Sequence, residues 1–211
     1  MTNTTYYFKY EPLRWRVLDP DAGFVLCESI IDSQPLQNIV QKRNDEYYIG
    51  SSSTYANNYS SSTLRPWLND SFYYTAFNSA QKAKIKTSMI NNDAYSADLP
   101  KFNFAATADP VFLLSYSEAA FVNYGLSSVA ARKAKGTDYA KCQGLWVNTS
   151  SSGQGCSNWR LRSAGNNSNN ASHIYYDGDP GVNAYVSGTI FGIRPACKLS
   201  DLTDNSTVSD V

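Results

Sequence analysis

Charge is scarce in this 211-residue sequence: Asp, Glu, Lys and Arg make up 17%, and 18 basic residues balance 18 acidic ones. A chain with no net charge offers no basic field for a phosphate backbone, so no nucleic-acid partner is expected. Histidine occurs once, as His173, and the 4 cysteines form no cluster at metal-ligand spacing. Zinc and a Cys–His nucleophilic pair are therefore poorly served. No glycine-rich phosphate loop and no Gly-x-Ser-x-Gly elbow is present, so neither a cofactor nor catalysis is expected. Apolar runs reach only four or five residues, against about 20 for a membrane-spanning helix, so this chain is not expected to insert into a membrane. The opening stretch, Met1 to Thr5, lacks the basic and apolar regions of a signal peptide. Either the protein is not exported or its signal has been removed.

A second absence is local. From Asn166 to Ile193 there is no Lys, Arg, Glu, Gln, Met or Trp. Arg aside, these are the residues that a codon ending in C cannot encode. Asn, Tyr, Ser, Asp, His, Ile, Thr and Gly, which fill the run, all follow from AAC by changing one or both adenines. That is the trace expected of adenine-targeted mutagenesis. The plainer reading is a surface loop, because Asn, Ser and Gly serve turns and build no core. Placement favours the first: the run lies between the strand-like anchors Trp159-Arg160-Leu161-Arg162-Ser163 and Gly192-Ile193-Arg194-Pro195-Ala196.

What the chain does have is tyrosine. Its 16 Tyr bring the aromatic share to 14%, and Tyr with abundant Ser, Asn and Gly resembles the composition of antibody binding loops. The length suits a single domain over 1–200 with a core that needs no disulfide or metal, followed by a polar tail over 201–211. Cys142 and Cys156 bracket a Ser/Gly loop and are the best disulfide candidates, while Cys27 and Cys197 sit in apolar stretches as buried thiols.

Strands are expected at 6–10 and 13–18. In the second, Leu13, Trp15 and Val17 alternate with Arg14 and Arg16. Asp19-Pro20-Asp21-Ala22-Gly23 is turn chemistry that folds 24–27 back as a hairpin. Residues 38–58 read as a long surface loop. Ser61 or Ser62 caps a helix through Asn69, 80–86 forms a second short helix, and 110–114 is a buried strand. Ser117 caps 118–124, closed by Gly125, and Thr137 caps 138–143, closed by Gly144. The N-terminal strands are expected to pair with a C-terminal strand over 191–199. Trp15, Trp67 and Trp159 should be mostly buried, and Arg162 and Arg194 should be partly buried structural cations.

An ordered series of motifs carries a family likeness: Leu13-Arg14-Trp15-Arg16-Val17-Leu18, Ile31-Asp32-Ser33-Gln34-Pro35, Tyr55-Ala56-Asn57-Asn58-Tyr59 and Ser62-Thr63-Leu64-Arg65-Pro66-Trp67-Leu68-Asn69. It continues with Val111-Phe112-Leu113-Leu114-Ser115, Trp159-x-Leu161-Arg162-Ser163 and Gly192-Ile193-Arg194-Pro195-Ala196. In these the chain resembles a bacterial and phage family of uncharacterised domains common in gut Firmicutes, with C-type-lectin-like folds. Some of its members are variable proteins of diversity-generating retroelements. The resemblance implies an α+β fold, with mixed, mostly antiparallel sheets, two or more short helices and long loops. It also implies a variable segment over about 157–193 that binds a protein or glycan ligand, on a cell surface or virion. Asn158, Arg160 and Ala164 depart from the pattern, where relatives often have Trp, Trp and Pro.

The ligand-binding positions so implied are Asn158, Arg160, Asn166, Asn167, Asn169, His173, Tyr175, Tyr176, Asp177, Asp179, Asn183 and Tyr185. They should lie on one exposed face. An alternative is an enzyme related to formylglycine-generating enzymes, with Cys142 and Cys156 as its reactive pair, and a third reading is a surface domain that binds nothing. Trp67-Leu68-Asn69-Asp70 is similar to the Trp-Asn-Asp motif of calcium-dependent lectins, but it falls on a helix and lacks that motif's partner. Core packing is the better reading. Asp177-Gly178-Asp179 likewise reads as a turn.

Overall fold

A computed structural model describes residues 13–202; the expected strand at 6–10 and most of the polar tail lie outside them. The described residues form a mixed α+β fold with short helices and mostly antiparallel sheets. The hairpin expected at the N-terminal end is present, with Trp15–Asp19 antiparallel to Phe24–Cys27. Gly23, at φ +64°, closes the turn against the Leu199 carbonyl, where a Cβ would collide. The alternation breaks at its end. A bulge between Val17 and Asp19 turns Val17 out to 49% exposure and buries Leu18, as bulges re-aim side chains.

The 191–199 stretch does join the N-terminal strands, but as two pieces in two sheets. Ala196–Leu199 lies between Phe24–Cys27 and Ile85–Lys86, and also pairs with Val111–Phe112. Gly192–Ile193 belongs to a second sheet, in the order Pro180–Tyr185, Asn170–Ile174, Trp159–Ala164, Gly192–Ile193, Asp32–Ser33. Arg194 and Pro195 carry the chain across. Arg194 is fully buried, its Nε donates to the Cys27 carbonyl at 2.7 Å, and its guanidinium lies 5.0 Å from the Trp159 ring centroid. Burial pushes its pKa down to about 10.

One apolar cluster serves both sheets, uniting Phe24, Leu26 and Phe112 of the first with Trp159, Leu161, Ile174 and Ile193 of the second. Each such side chain contributes roughly 1.5–3 kcal/mol when fully buried. Trp159 is fully buried; Trp15 and Trp67 are half-buried against the same cluster. Arg162 is held more tightly than expected. It is 3% exposed and donates to the Leu113 and Asn91 carbonyls at 2.7 and 2.8 Å and to both Glu118 oxygens. Desolvation raises the Glu118 pKa, but the Arg162 guanidinium and its hydrogen bonds outweigh it and leave the carboxyl below its ordinary value.

Several elements differ from expectation for local reasons. The helix expected to stop at Asn69 runs over 64–76, with Trp67–Phe72 in π-helical bonding. Ser62 Oγ accepts from Arg65 N at its start. Ser115, not Ser117, caps the Tyr116–Ala120 helix, because Glu118 stands three residues on and completes a capping box. The 38–58 loop contains a hairpin, Val40–Arg43 with Glu46–Ile49, whose turn residues Asn44 and Asp45 both take positive φ. A further hairpin, Ser88–Asn92 with Phe104–Asp109, carries too little hydrophobic alternation to announce itself. Among the described residues no helix is long and apolar enough to cross a membrane.

Candidate functional site

The second sheet carries the compositionally biased run. Its three long strands form consecutive hairpins in which Arg160 faces His173 and His173 faces Gly181. The two connecting turns lie at opposite ends of Asn170–Ile174, a strand on the order of 16 Å long at about 3.3 Å per residue. The positions named from the sequence therefore do not form a single patch.

At one end lies the Asn166–Asn170 turn. Asn167 Oδ1 accepts from Asn169 N at 2.8 Å, and Asn170 Nδ2 donates to Asn166 Oδ1 at 2.7 Å. Asn57 Nδ2 donates to the Asn167 carbonyl at 2.9 Å, and Ser168 Oγ accepts from Tyr47 N while donating to Glu46. Hydrogen bonds from Lys101 and then Ser168 hold the Glu46 carboxyl below its ordinary pKa. Asn166 and Asn167 are exposed and Asn169 half-buried.

At the other end Tyr175, Tyr176, Asp177, Gly178 and Asp179 make a tight turn. Tyr175 N donates to the Asp179 carbonyl and Gly178 N to the Tyr175 carbonyl. Asp177 Oδ1 accepts from Asp179 N, so this carboxylate serves the turn, as expected. Gly178, at φ +93°, lets the backbone press on the Val129 carbonyl. The buried Arg132 Nε donates to the Gly178 carbonyl at 2.6 Å, and Asn158 Oδ1 accepts from Tyr176 N at 2.8 Å. The turn is thus held from outside itself. Around it, Tyr175 OH donates to Asn183 Oδ1 at 2.9 Å, and the Trp146 and Tyr176 rings meet edge-to-face at 5.5 Å. Asp179 and Asn183 are exposed and Asn158, Tyr175, Tyr176 and Asp177 half-buried, whereas Tyr185, 62% exposed, pairs with Asn170 at the opposite end of the strand.

Arg160 and His173 do not join an exposed face: they are 0% and 1% exposed. Arg160 Nε donates to the Gln34 carbonyl at 3.0 Å, and Nη2 donates to the carbonyls of Tyr185 and Gly188 at 3.0 and 2.5 Å. It pins the 185–191 loop over the sheet. With no carboxylate beside it, burial pushes its pKa down to about 9. His173 is wedged edge-on between Tyr175 and Phe191, at 4.3 and 5.3 Å, and neither ring nitrogen has a partner. Burial, and then the Arg160 charge, lower its pKa to about 4.

Sequence reasoning passed over Trp146 and Ile190, exposed at 41% and 46%; Trp146 N donates to the Ile190 carbonyl beside Tyr176. A solitary tryptophan outside the biased run gave no signal for either. All four cysteines are free thiols. The expected Cys142–Cys156 bridge is not formed: Cys142 faces solvent at a helix end, whereas Cys156 is buried opposite Lys135. Asn69 bonds the Arg65 carbonyl and Val111 N, a tie between helix and strand.

A family model described as a domain of unknown function, DUF6273, matches residues 25–201. The chain belongs to the DUF6273 family. No curated protein and no solved structure matches it. The DUF6273 match covers the second sheet, both turns and all of the first sheet after Phe24, so the biased run lies within the domain and is not a linker appended to it. What this DUF6273 domain offers chemically at the Tyr175–Asp179 end is the half-buried rings of Tyr175 and Tyr176, the exposed Trp146 ring and the Asn183 carboxamide, which suit contact and hydrogen bonding.

Proposed function

We propose that this chain is a ligand-binding module, the variable protein of a diversity-generating retroelement, on a C-type-lectin-like scaffold. Its ligand face comprises Tyr175, Tyr176 and Asn183, joined by Trp146 and Ile190, with Tyr185 exposed further along the same strand beside Asn170 and a protein or glycan as the ligand. One observation carries this reading. The Tyr175–Asp179 turn is held by Arg132, Asn158 and the Val129 backbone, all outside the 166–193 run. The outward side chains are then free to differ while the backbone keeps its shape. The composition of that run, lacking every residue that a codon ending in C cannot encode, is what adenine-targeted rewriting of AAC codons would leave. Arg160, buried and triply bonded, His173, buried against it, and Asn158, which supports the turn, leave the diversified set. No observation favours the enzyme alternative, which would need Cys142 and Cys156 together.

Two experiments test this. Sequencing the locus should reveal a near-duplicate of the segment encoding 159–195 beside a reverse transcriptase gene, differing at template adenines. In the protein, Asn183→Ser and Tyr185→Ser should each change stability by no more than about 0.5 kcal/mol, as exposed substitutions do. Tyr176→Ala, which strips one side of Trp146, should cost about 1 kcal/mol. Losses of several kcal/mol at Asn183 and Tyr185 in thermal unfolding would make the face structural and end the proposal.

A further inference from the structure

Away from the hairpin turns lies a cleft of about 610 Å³ between the 64–76 helix and the Asp138–Cys142 helix, floored by the Ile31-Asp32-Ser33-Gln34 segment. This volume is within the usual range of small-molecule sites. Its walls are largely apolar, with Ile31, Trp67 and Phe72 prominent and Tyr139 at the rim. The rings of Trp67 and Phe72 stack at 5.8 Å and 24°.

Into this apolar lining comes one carboxylate. Asp32 is 4% exposed, and its strand is fixed by pairing Asp32 with Ile193 and Ser33 with Gly192. Oδ1 accepts from Ser33 N at 2.6 Å and Oδ2 from Gln34 Nε2 at 2.9 Å. A carboxylate has about four acceptor positions, so about half its capacity is unused. Among the described residues no Lys, Arg or His forms an ion pair with it. Arg160, bonded to the same segment, gives its Nε to the Gln34 carbonyl instead. Buried charges are ordinarily paired, and an unpaired one is costly. The cleft therefore joins an anion lacking a counter-ion to aromatic faces that attract cations.

We infer that this cleft is a second binding site, for a small organic ammonium ion with an aryl or alkyl body. The ammonium group donates to Asp32 and the body lies along Trp67 and Phe72. This site does not depend on the hairpin face, and no outcome there bears on it.

The test uses the full chain and three matched probes, phenethylamine, 2-phenylethanol and 3-phenylpropionate, followed by NMR shifts of the Trp67 indole and by calorimetry. Phenethylamine should move the Trp67 signals and bind at least tenfold more tightly than the alcohol, and the acid should not bind. Asp32→Asn should remove the preference for amine over alcohol. Should that variant misfold, Trp67→Leu, at a half-buried position, should weaken the amine severalfold while the fold survives. Equal binding of amine and alcohol would overturn the inference, as would shifts confined to another surface. So would silence of the Trp67 signals together with NOEs from the chain's own tyrosines at 6–10, which would make that segment the occupant.

Discussion

Arg160→Ala is expected to cost roughly 2–4 kcal/mol of stability, because it removes a buried side chain that donates three hydrogen bonds. The deleted guanidinium leaves the Gln34 and Gly188 carbonyls without their donor, while the Tyr185 carbonyl keeps Gly188 N. Each orphaned buried acceptor costs about 1–3 kcal/mol where water cannot replace the donor. The lost stacking on Phe191, at 4.8 Å, adds to this. Arg160→Lys should recover little, since an ammonium is a point charge that cannot fork to three separated carbonyls. Urea unfolding of both variants checks this. A loss below about 1 kcal/mol for Arg160→Ala, typical of ordinary surface change, would return position 160 to the diversified set.

Acidification supplies the second large effect. His173 titrates at about 4 in the folded chain, against an ordinary value of 6.5. Between those values the unfolded chain binds a proton that the folded chain refuses, so stability falls as pH falls through this window. Each pH unit is worth about 1.4 kcal/mol, giving a loss of about 3 kcal/mol by pH 4 that is absent above pH 6.5. Arg160 is the charged neighbour that deepens the effect, and the Tyr175 and Phe191 rings supply the apolar walls. His173→Met should flatten the pH 4–6.5 slope relative to wild type without loss at pH 7. The replacement is of similar volume, its sulfur suits aromatic neighbours, and no hydrogen bond is lost. A slope unchanged by the substitution would place the titrating groups elsewhere, Glu118 first among them because its ion pair with Arg162 also weakens in acid.

These two residues show where the sequence was legible and where it was not. The N-terminal hairpin was readable because alternating Trp and Arg and an Asp-Pro turn are local signals. The starts of the capped helices were readable for the same reason, to within a residue or two, but not the ends, since the helix expected to stop at Asn69 runs to Ala76. Arg160 was not readable: its acceptors lie 126, 25 and 28 residues away in the chain, and arginine as a type is mostly exposed. The 38–58 hairpin was missed because its turn, Asn44-Asp45 in left-handed backbone, carries no glycine to mark it, although Asn and Asp are the non-glycine types that enter that region most readily. The biased run was recognised as a unit but not divided, since composition carries no information about which end of a strand a turn occupies.

The order in which the strands are translated has its own consequence. Phe24–Cys27 is made early, yet one of its two neighbours in the sheet, Ala196–Leu199, leaves the ribosome only after the whole biased run. Pairings so distant in sequence form late and slowly, and the N-terminal hairpin waits with one edge open until they do. A shifted reading frame or stop codon within 166–193 would never supply the missing strand. The nascent chain would then stay unfinished and go to proteolysis, instead of displaying a faulty surface. On the proposed reading, substitutions inside the run leave this last pairing intact, whereas insertions that break the frame would remove the strand that completes it.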